Sequence, residues 1–294
     1  MDNPVRNIAL IDQGVFPGSD KKITRVGLGG EGVLRTTGKE SQARAVIQEA
    51  ITQGIAYYDS ARVYMDSEVY YGKFWQDHPQ ARESIFHTSK SAQRDRQGAL
   101  AELHQSLERL NTTYLDLWQI HDVRDEKDLA LISGKGGALE AFCEAKDLGL
   151  VRHIGVTGHH DPDILTKAVK MWPVDAVLMP VNPVEAVIGG FLTQTLEAAR
   201  KKSIAVIGMK VLGGRHYIAT DAGITADLLI RFALSCGITL AIAGCSTPDE
   251  VRALARAGRQ QTLLTSAEKK EIVKPFVPVA ERFAFYRGSV FKKP

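Results

Sequence analysis

Eight short apolar runs recur along this chain with amphipathic helical stretches between them, and that alternation restricts the fold more than any other feature. In order, the runs are "TRVGLGG", "IAYYDSA", "IFHTSK", "LDLWQIH", "VRHIGVTG", "DAVLMPVN", "IAVIGMK" and "LAIAGCS". Between them lie stretches such as "KESQARAVIQEAITQG", "ALAELHQSLERL" and "PDEVRALARAG", with apolar residues at helical spacing and often a closing Gly. Strands that read as nearly continuous apolar runs, each followed by a helix, belong to a parallel sheet buried on both faces. Eight such units in 294 residues predict an α/β chain folded as one (β/α)8 TIM barrel, a single domain over 1–294, rather than an open doubly wound sheet. Ahead of the first barrel strand, "IALIDQG" and "KKITRVG" read as a β-hairpin placed to close the barrel bottom. The tail from Pro275, with its basic "FKKP" end, reads as irregular or as a terminal helix.

Composition narrows the partner. With 44% hydrophobic and 24% charged residues the chain can bury a large core. Its net charge is only +3, and no window concentrates the cations. That argues against a nucleic-acid or membrane-surface partner and for a small molecule. Three distant cysteines, Cys143, Cys236 and Cys245, make neither a disulfide framework nor a zinc ribbon. The opening "MDNPVRNIALIDQG" lacks the charged-then-apolar pattern of a secretion signal, and no apolar run is long enough to span a bilayer. A cytoplasmic location is expected.

In a barrel of this kind chemistry sits at the C-terminal ends of the strands. The second strand ends in Asp59 with Tyr64 just beyond it, the third ends in Lys90 and the fourth in His121. Taken singly, each has an ordinary structural use as a cap, a packed ring, a solvated charge or a core histidine. At the same ends of three consecutive strands, the set points to a shared proton-handling site.

These residues resemble the aldo-keto reductases. The resemblance rests on "GIAYYDSARVY", with an Asp followed five residues later by a Tyr, on "HTSK", on "LDLWQIH" and on "GLVRHIGVTG", in the family's order from about Thr24 to about Ala257. It implies reduction of aldehyde or ketone carbonyls by hydride from a nicotinamide cofactor, or the reverse reaction, with Tyr64 as proton donor. A tyrosine with a free pKa near 10 is a reluctant acid at neutral pH. In the implied scheme the Lys90 ammonium lowers the Tyr64 pKa, Asp59 holds Lys90, and His121 donates a hydrogen bond to the oxygen that gains charge.

The branch that this chain most resembles carries "TGH" after the fifth strand, here Thr157, Gly158 and His159, and "MP" followed by Asn in the sixth, here Met179, Pro180 and Asn182. Thr157 and Asn182 are thereby the candidates for the cofactor carboxamide, since Leu178 or Met179 falls where many members place a Gln. Met209 stands where many members stack a Tyr under the nicotinamide, and a thioether offers a softer apolar platform. Lys210 and the backbone of Val211, Leu212 and Gly213 are expected along the pyrophosphate. After the eighth strand Thr247, Pro248, Asp249 and Glu250 read as an N-cap, a first-turn Pro, a first-turn acid and a capping-box Glu; a helix N-terminus there is a common phosphate site, so Gly244, Cys245, Ser246, Thr247 and Glu250 join Gly158 as cofactor-binding candidates. The family inclines the cofactor to NADP(H), while a carboxylate at Glu250, where many NADP(H)-using members have Arg, argues for NAD(H) unless Arg252 or Arg256 turns inward.

"VGLGGEG" matches the Gly-x-Gly-x-x-Gly fingerprint through Gly27, Gly29 and Gly32. A dinucleotide-binding unit must open from that motif directly into a helix. Here "VLRTTG" intervenes, the helix begins near Lys39 or Glu40, and Asp59, 27 residues beyond Gly32, is better used beside Lys90. The expected role of these glycines is to thin the loop so that Gly29 and Gly30 approach the nicotinamide. No metal is expected, because His159 and His160 are adjacent and no carboxylate or thiolate stands at ligand spacing in the sequence. Arg62, Trp75, Trp118 and Tyr217 are weaker candidates for lining a pocket, and Glu68 and Gly72 are explained by helix packing. Two competing readings are a cofactor-binding barrel with a regulatory role and little turnover, and a lyase or aldolase using Lys90 as a Schiff-base amine, which requires Lys90 to be free of a partner.

Overall fold

The computed structural model describes residues 10–260 and 262–288. The start of "IALIDQG" and the basic "FKKP" end lie outside the described residues. Two short antiparallel strands come first, β1 (Gln13–Gly14) and β2 (Ile23–Thr24). Eight parallel strands follow: β3 (Val26–Gly32), β4 (Tyr57–Asp59), β5 (Phe86–Ser91), β6 (Leu115–Ile120), β7 (Val151–Thr157), β8 (Ala176–Pro180), β9 (Ala205–Met209) and β10 (Leu240–Cys245). They pair in chain order, and β10 returns to pair with β3, so the sheet closes into a barrel. Each of the eight apolar runs supplies one barrel strand.

The pleat sorts the side chains. Along β4, Tyr57 joins the cluster inside the barrel, whereas Tyr58 joins the outer core, where its ring meets Tyr71 and Trp75. Phe86, Leu117, Leu178, Ile207 and Ile242 also face inward, while Trp118, Met179 and Val206 belong to the outer core. This period-two division fills the barrel in layers. The hairpin closes the bottom as expected: Phe16 and Ile23 belong to the inner cluster, and the Phe16 ring lies 4.7 Å from Phe86 and 4.8 Å from His153.

The outer layer is helical. The first long helix is Glu40–Thr52, where the sequence placed it. Ser67–Asp77 packs against Arg96–Arg109 so closely that a Cβ on Gly72 would lie 2.0 Å from the Arg109 carbonyl oxygen. From the same helix the buried Glu68 accepts hydrogen bonds from Ser89 at 2.7 Å and Arg109 at 3.1 Å. The tail from Pro275 is largely helical, with a 3-10 segment Lys274–Val279 and a turn Ala280–Phe283. Among the described residues no helix is long and apolar enough to cross a membrane.

On the outer face of β5, His87 is fully buried. Its Nδ1 accepts from the Trp75 indole at 3.1 Å, and its Nε2 has no hydrogen-bond partner. Burial first, then the nearby cations Arg82 and Lys21, hold its pKa well below the usual histidine range. A group neutral in the fold but titrating near 6.5 when unfolded contributes stability above that pH and loses it as pH falls. Stability is therefore expected to fall below about pH 6.5 by up to about 1.4 kcal/mol per pH unit from this residue. Denaturant unfolding of the wild type and His87→Leu at about pH 7.5 and about pH 5.5, one unit either side of that pKa, measures it. Equal pH slopes in the two proteins would reject the assignment.

Candidate active site

Alternation carries three side chains to the C-terminal mouth of the barrel, and the loop after β4 brings Tyr64 to them. Asp59 stands two residues beyond the inward Tyr57, Lys90 four beyond Phe86, and His121 four beyond Leu117. Asp59 pairs with Thr88 in the sheet register and Lys90 with Gln119, so Lys90 sits one inward position above Asp59's neighbour. The two side chains form a buried ion pair, 3% and 1% exposed.

Lys90 Nζ donates to Asp59 Oδ1 at 2.8 Å, to Asp59 Oδ2 at 2.7 Å and to the Ser60 carbonyl at 2.6 Å. Thr88 donates to Asp59 Oδ1 at 2.9 Å. All three ammonium hydrogens are thus engaged, which removes the free amine that a Schiff-base reading requires. Burial lowers the Lys90 pKa, and the attraction of Asp59 opposes that shift.

Tyr64 lies above this pair. The ammonium is 4.8 Å from the centroid of its ring, the Arg35 guanidinium is also 4.8 Å away, and the His121 ring meets it edge to face at 5.6 Å. A Cβ on Gly30 would come within 2.7 Å of the Tyr64 ring, so a side chain there would displace it. The Tyr64 pKa is raised, first by burial and then by the Asp59 and Glu31 carboxylates. This corrects the expected lowering: burial dominates, and the Lys90 charge is paired with Asp59, whose carboxylate adds to the rise. Burial, then Lys90, pushes the His121 pKa down to about 3. Its imidazole is therefore neutral at physiological pH and retains one N–H donor.

The glycines of "VGLGGEG" serve the barrel seam. A Cβ on Gly29 would meet the Ala243 carbonyl carbon at 2.9 Å, and one on Gly32 the Cys245 carbonyl oxygen at 2.4 Å. Gly244 is equally tight against Glu31, where the β3–β10 register shifts. The close approach they permit is between two strands and, at Gly30, to the Tyr64 ring.

The other candidates fall into two groups. Met209 ends β9 half-buried against the inner cluster, and Lys210 follows with positive φ. Val211 is buried, and Leu212 and Gly213 lead into a short turn under the Tyr217 ring. Thr247 caps helix Pro248–Arg259. Glu250 reaches past the Thr247 amide to accept from the Ser246 N–H at 2.6 Å, and its other oxygen is held by Arg215. Arg252 turns outward to Asp249 and Glu49, and Arg256 is exposed in the last helical turn. Burial pushes the Cys245 thiol up to about 12, so Cys245 has no reactive character.

Thr157 and Asn182 are already engaged within the protein. Thr157 is buried and accepts from the Asp122 N–H at 2.8 Å, while the Gly158 N–H donates to Leu178. Asn182 is fully buried, accepts from the Glu185 N–H, and donates both amide hydrogens, to the Lys210 carbonyl and the Tyr286 hydroxyl. Asn182 therefore positions the loop after β9 and has no amide hydrogen left for a carboxamide. The pocket-lining expectation also fails for the aromatic residues. Trp75 and Trp118 are outer-core residues, the latter stacked on Phe142, and Tyr217 donates to Phe283. Arg62 is held by Gln105.

Several contributors had little or no sequence signal. Thr88 was discoverable, being two residues before Lys90 and hence on the same face. Arg94 binds the carbonyls of both His121 and Asp122 and pairs with Asp128, and it lies in a loop of no distinctive pattern. Arg215 and the tail residues Tyr286 and Arg287, which bond the buried Glu185, come from segments remote in sequence.

Comparison with known proteins adds a family. Residues 25–217 match the model of the aldo/keto reductase family. An uncharacterized oxidoreductase of Bacillus subtilis, YqkF, is 27% identical over 175 residues, 55% of this chain and 53% of that protein. D-Arabinose 1-dehydrogenase of Saccharomyces cerevisiae is 29% identical over 123 residues, 39% of this chain and 36% of that one. The chain spans about half the length or less of these two relatives. A solved aldo-keto reductase from Klebsiella pneumoniae in complex with NADPH superposes with a TM-score of 0.74 at 20% identity, covering 91% of this chain and 96% of that one. At that identity the likeness speaks for the fold.

The buried ion pair offers a test by stability alone. Asp59→Ala leaves Lys90 charged and largely unpaired in the interior, and is expected to cost about 3–5 kcal/mol. The double variant Asp59→Ala/Lys90→Met should recover part of that loss in denaturant unfolding. A single variant as stable as the wild type would show that the pair contributes nothing.

Proposed function

The chain belongs to the aldo/keto reductase family, and from that premise we propose that it reduces aldehyde or ketone carbonyls to alcohols, or runs the reverse, with a nicotinamide cofactor. The observation that carries the reading is the buried Lys90–Asp59 pair beneath the Tyr64 ring with the neutral His121 at its edge. A regulatory barrel would have little use for an ion pair buried beside a proton donor, whose assembly requires desolvating two charges.

The residues at the mouth suit such a cofactor: Met209 offers an apolar face, Lys210 a cation, and helix Pro248–Arg259 a capped N-terminus. When bound, the reduced cofactor supplies hydride to the carbonyl carbon. Tyr64, protonated at neutral pH, supplies the proton to the carbonyl oxygen, and its raised pKa makes it a weak acid that needs its phenolate stabilised as the proton leaves. His121, neutral, donates a hydrogen bond to the same oxygen as charge develops there. Lys90, fixed by Asp59 and the Ser60 carbonyl, stabilises the phenolate left after transfer.

We further propose NADP(H) as the cofactor. Glu250 is neutralised by Arg215 and occupied by the Ser246 N–H, which weakens the argument from its charge for NAD(H). The free cysteines suit a reducing compartment, in keeping with a cytoplasmic enzyme.

Tyr64→Phe is expected to lower the turnover of NAD(P)H-dependent carbonyl reduction by about 10²–10⁴ while leaving cofactor binding by fluorescence within experimental error of the wild type. Undiminished turnover across aldehydes, ketones, sugars and quinones would overturn the assignment. Fluorescence titration should also show NADPH bound more tightly than NADH, with the preference reduced in Arg215→Ala. Tighter NADH binding by the wild type would reverse the cofactor choice.

A further inference from the structure

The loop after β6 and the loop after β7 bring one carboxylate against two imidazoles. Asp122 has a left-handed backbone, φ 58°, fixed by its N–H donating to Thr157 Oγ1. One carboxylate oxygen, Oδ2, accepts from Arg124 Nε at 2.8 Å and Nη2 at 2.6 Å. The other, Oδ1, is buried and has no hydrogen-bond partner among the described residues. It lies 3.2 Å from His159 Nε2 and 3.4 Å from His160 Nε2.

The His159 tautomer is set by its opposite nitrogen. Nδ1 is 2.9 Å from the Tyr286 carbonyl oxygen, which can only accept. Nδ1 therefore carries the proton, and in the neutral ring Nε2 presents a lone pair. His160 Nε2 is also buried without a hydrogen-bond partner among the described residues. Two imidazole nitrogens thus converge on one carboxylate oxygen without a hydrogen bond to it, an arrangement that a shared cation would satisfy.

The dimensions match. Ligand atoms about 2.0–2.1 Å from a tetrahedral zinc ion are about 3.3–3.4 Å apart. The two measured Asp122–histidine separations bracket that edge, and all three ligand atoms lie within 4.8 Å of one another. The histidine rings are stacked with centroids 4.5 Å apart, so modest rotation about the side-chain torsions adjusts their nitrogens. Outer contacts follow the pattern of metal-bound residues: one histidine donates its other N–H to a backbone carbonyl, and the carboxylate's second oxygen is held by Arg124. The side chains are 17% exposed for Asp122, 22% for His159 and 23% for His160, while Asp122 Oδ1 and His160 Nε2 are themselves covered, so a fourth ligand, water, would enter with the ion.

We propose that Asp122, His159 and His160 bind one divalent transition-metal ion of the zinc class. The sequence offered no carboxylate at ligand spacing; the one that meets the two histidines comes from a different strand end, 37 residues before His159. The ion joins the loops after β6 and β7 to the C-terminal segment through the Tyr286 carbonyl on His159. Asp122 directly follows His121, so the ion adjoins the barrel mouth, and the inference does not depend on carbonyl reduction.

The test uses the full chain, stripped with a chelator, dialysed and titrated with Zn²⁺ by calorimetry. A parallel Co²⁺ titration reads the visible bands of a four-coordinate ion. One equivalent should bind per chain, raise the thermal midpoint and give the four-coordinate Co²⁺ spectrum. His160→Ala and Asp122→Asn, each checked for folding by circular dichroism, should weaken Zn²⁺ binding by more than about tenfold, the scale on which even outer contacts act. No bound equivalent, or binding unchanged in folded His160→Ala, overturns the site and leaves a proton as the charge shared by this cluster.

Discussion

Closure of a parallel sheet into a barrel imposes a division that the whole site depends on. Successive residues of each strand must point alternately into the barrel and out to the helices. In β4 and β5 this places Tyr57 and Phe86 in the inner core and carries Asp59 and Lys90 to the mouth above them. A shift of one residue in either strand would turn the ion pair outward into the apolar layer between sheet and helices. The apolar plug formed by Phe16 and Ile23 closes the other end of the same interior.

The Asp59–Lys90 pair is tolerated at such depth because it is more than a pair. Three acceptors meet the three ammonium hydrogens, and Thr88 adds a further bond to the carboxylate. Satisfying every donor offsets much of the desolvation that makes isolated buried charges so costly. The pair also holds the ammonium against the face of Tyr64, so one arrangement fixes both a geometry and a local field. The upward direction of the Tyr64 pKa comes first from burial and then from the Asp59 carboxylate of that pair.

The rim loops are tied to the far end of the chain. Tyr286 and Arg287 bond Glu185, Tyr286 accepts from Asn182, and its carbonyl meets His159. Asn182 in turn holds the Lys210 carbonyl. A continuous set of buried polar contacts therefore links the loops after β7, β8 and β9 through the C-terminal segment. Such networks specify position strongly when every member is satisfied.

Periodicity and composition alone determined the barrel, its eight strands and the plug, because hydrophobic pattern and strand length are local properties of the chain. Asp59, Lys90 and His121 were legible for the same reason, each standing at a strand end, Tyr64 by its place five residues beyond Asp59, and Thr88 by its spacing of two from Lys90. Only the tertiary structure decided which polar atoms were already occupied. It showed Asn182 engaged by Lys210 and Tyr286, Glu250 by Ser246 and Arg215, and the glycines of "VGLGGEG" by a neighbouring strand. It also brought Asp122 to His159 and His160. Those partners are distant in sequence, and hydrogen-bond saturation depends on distances that no local pattern encodes.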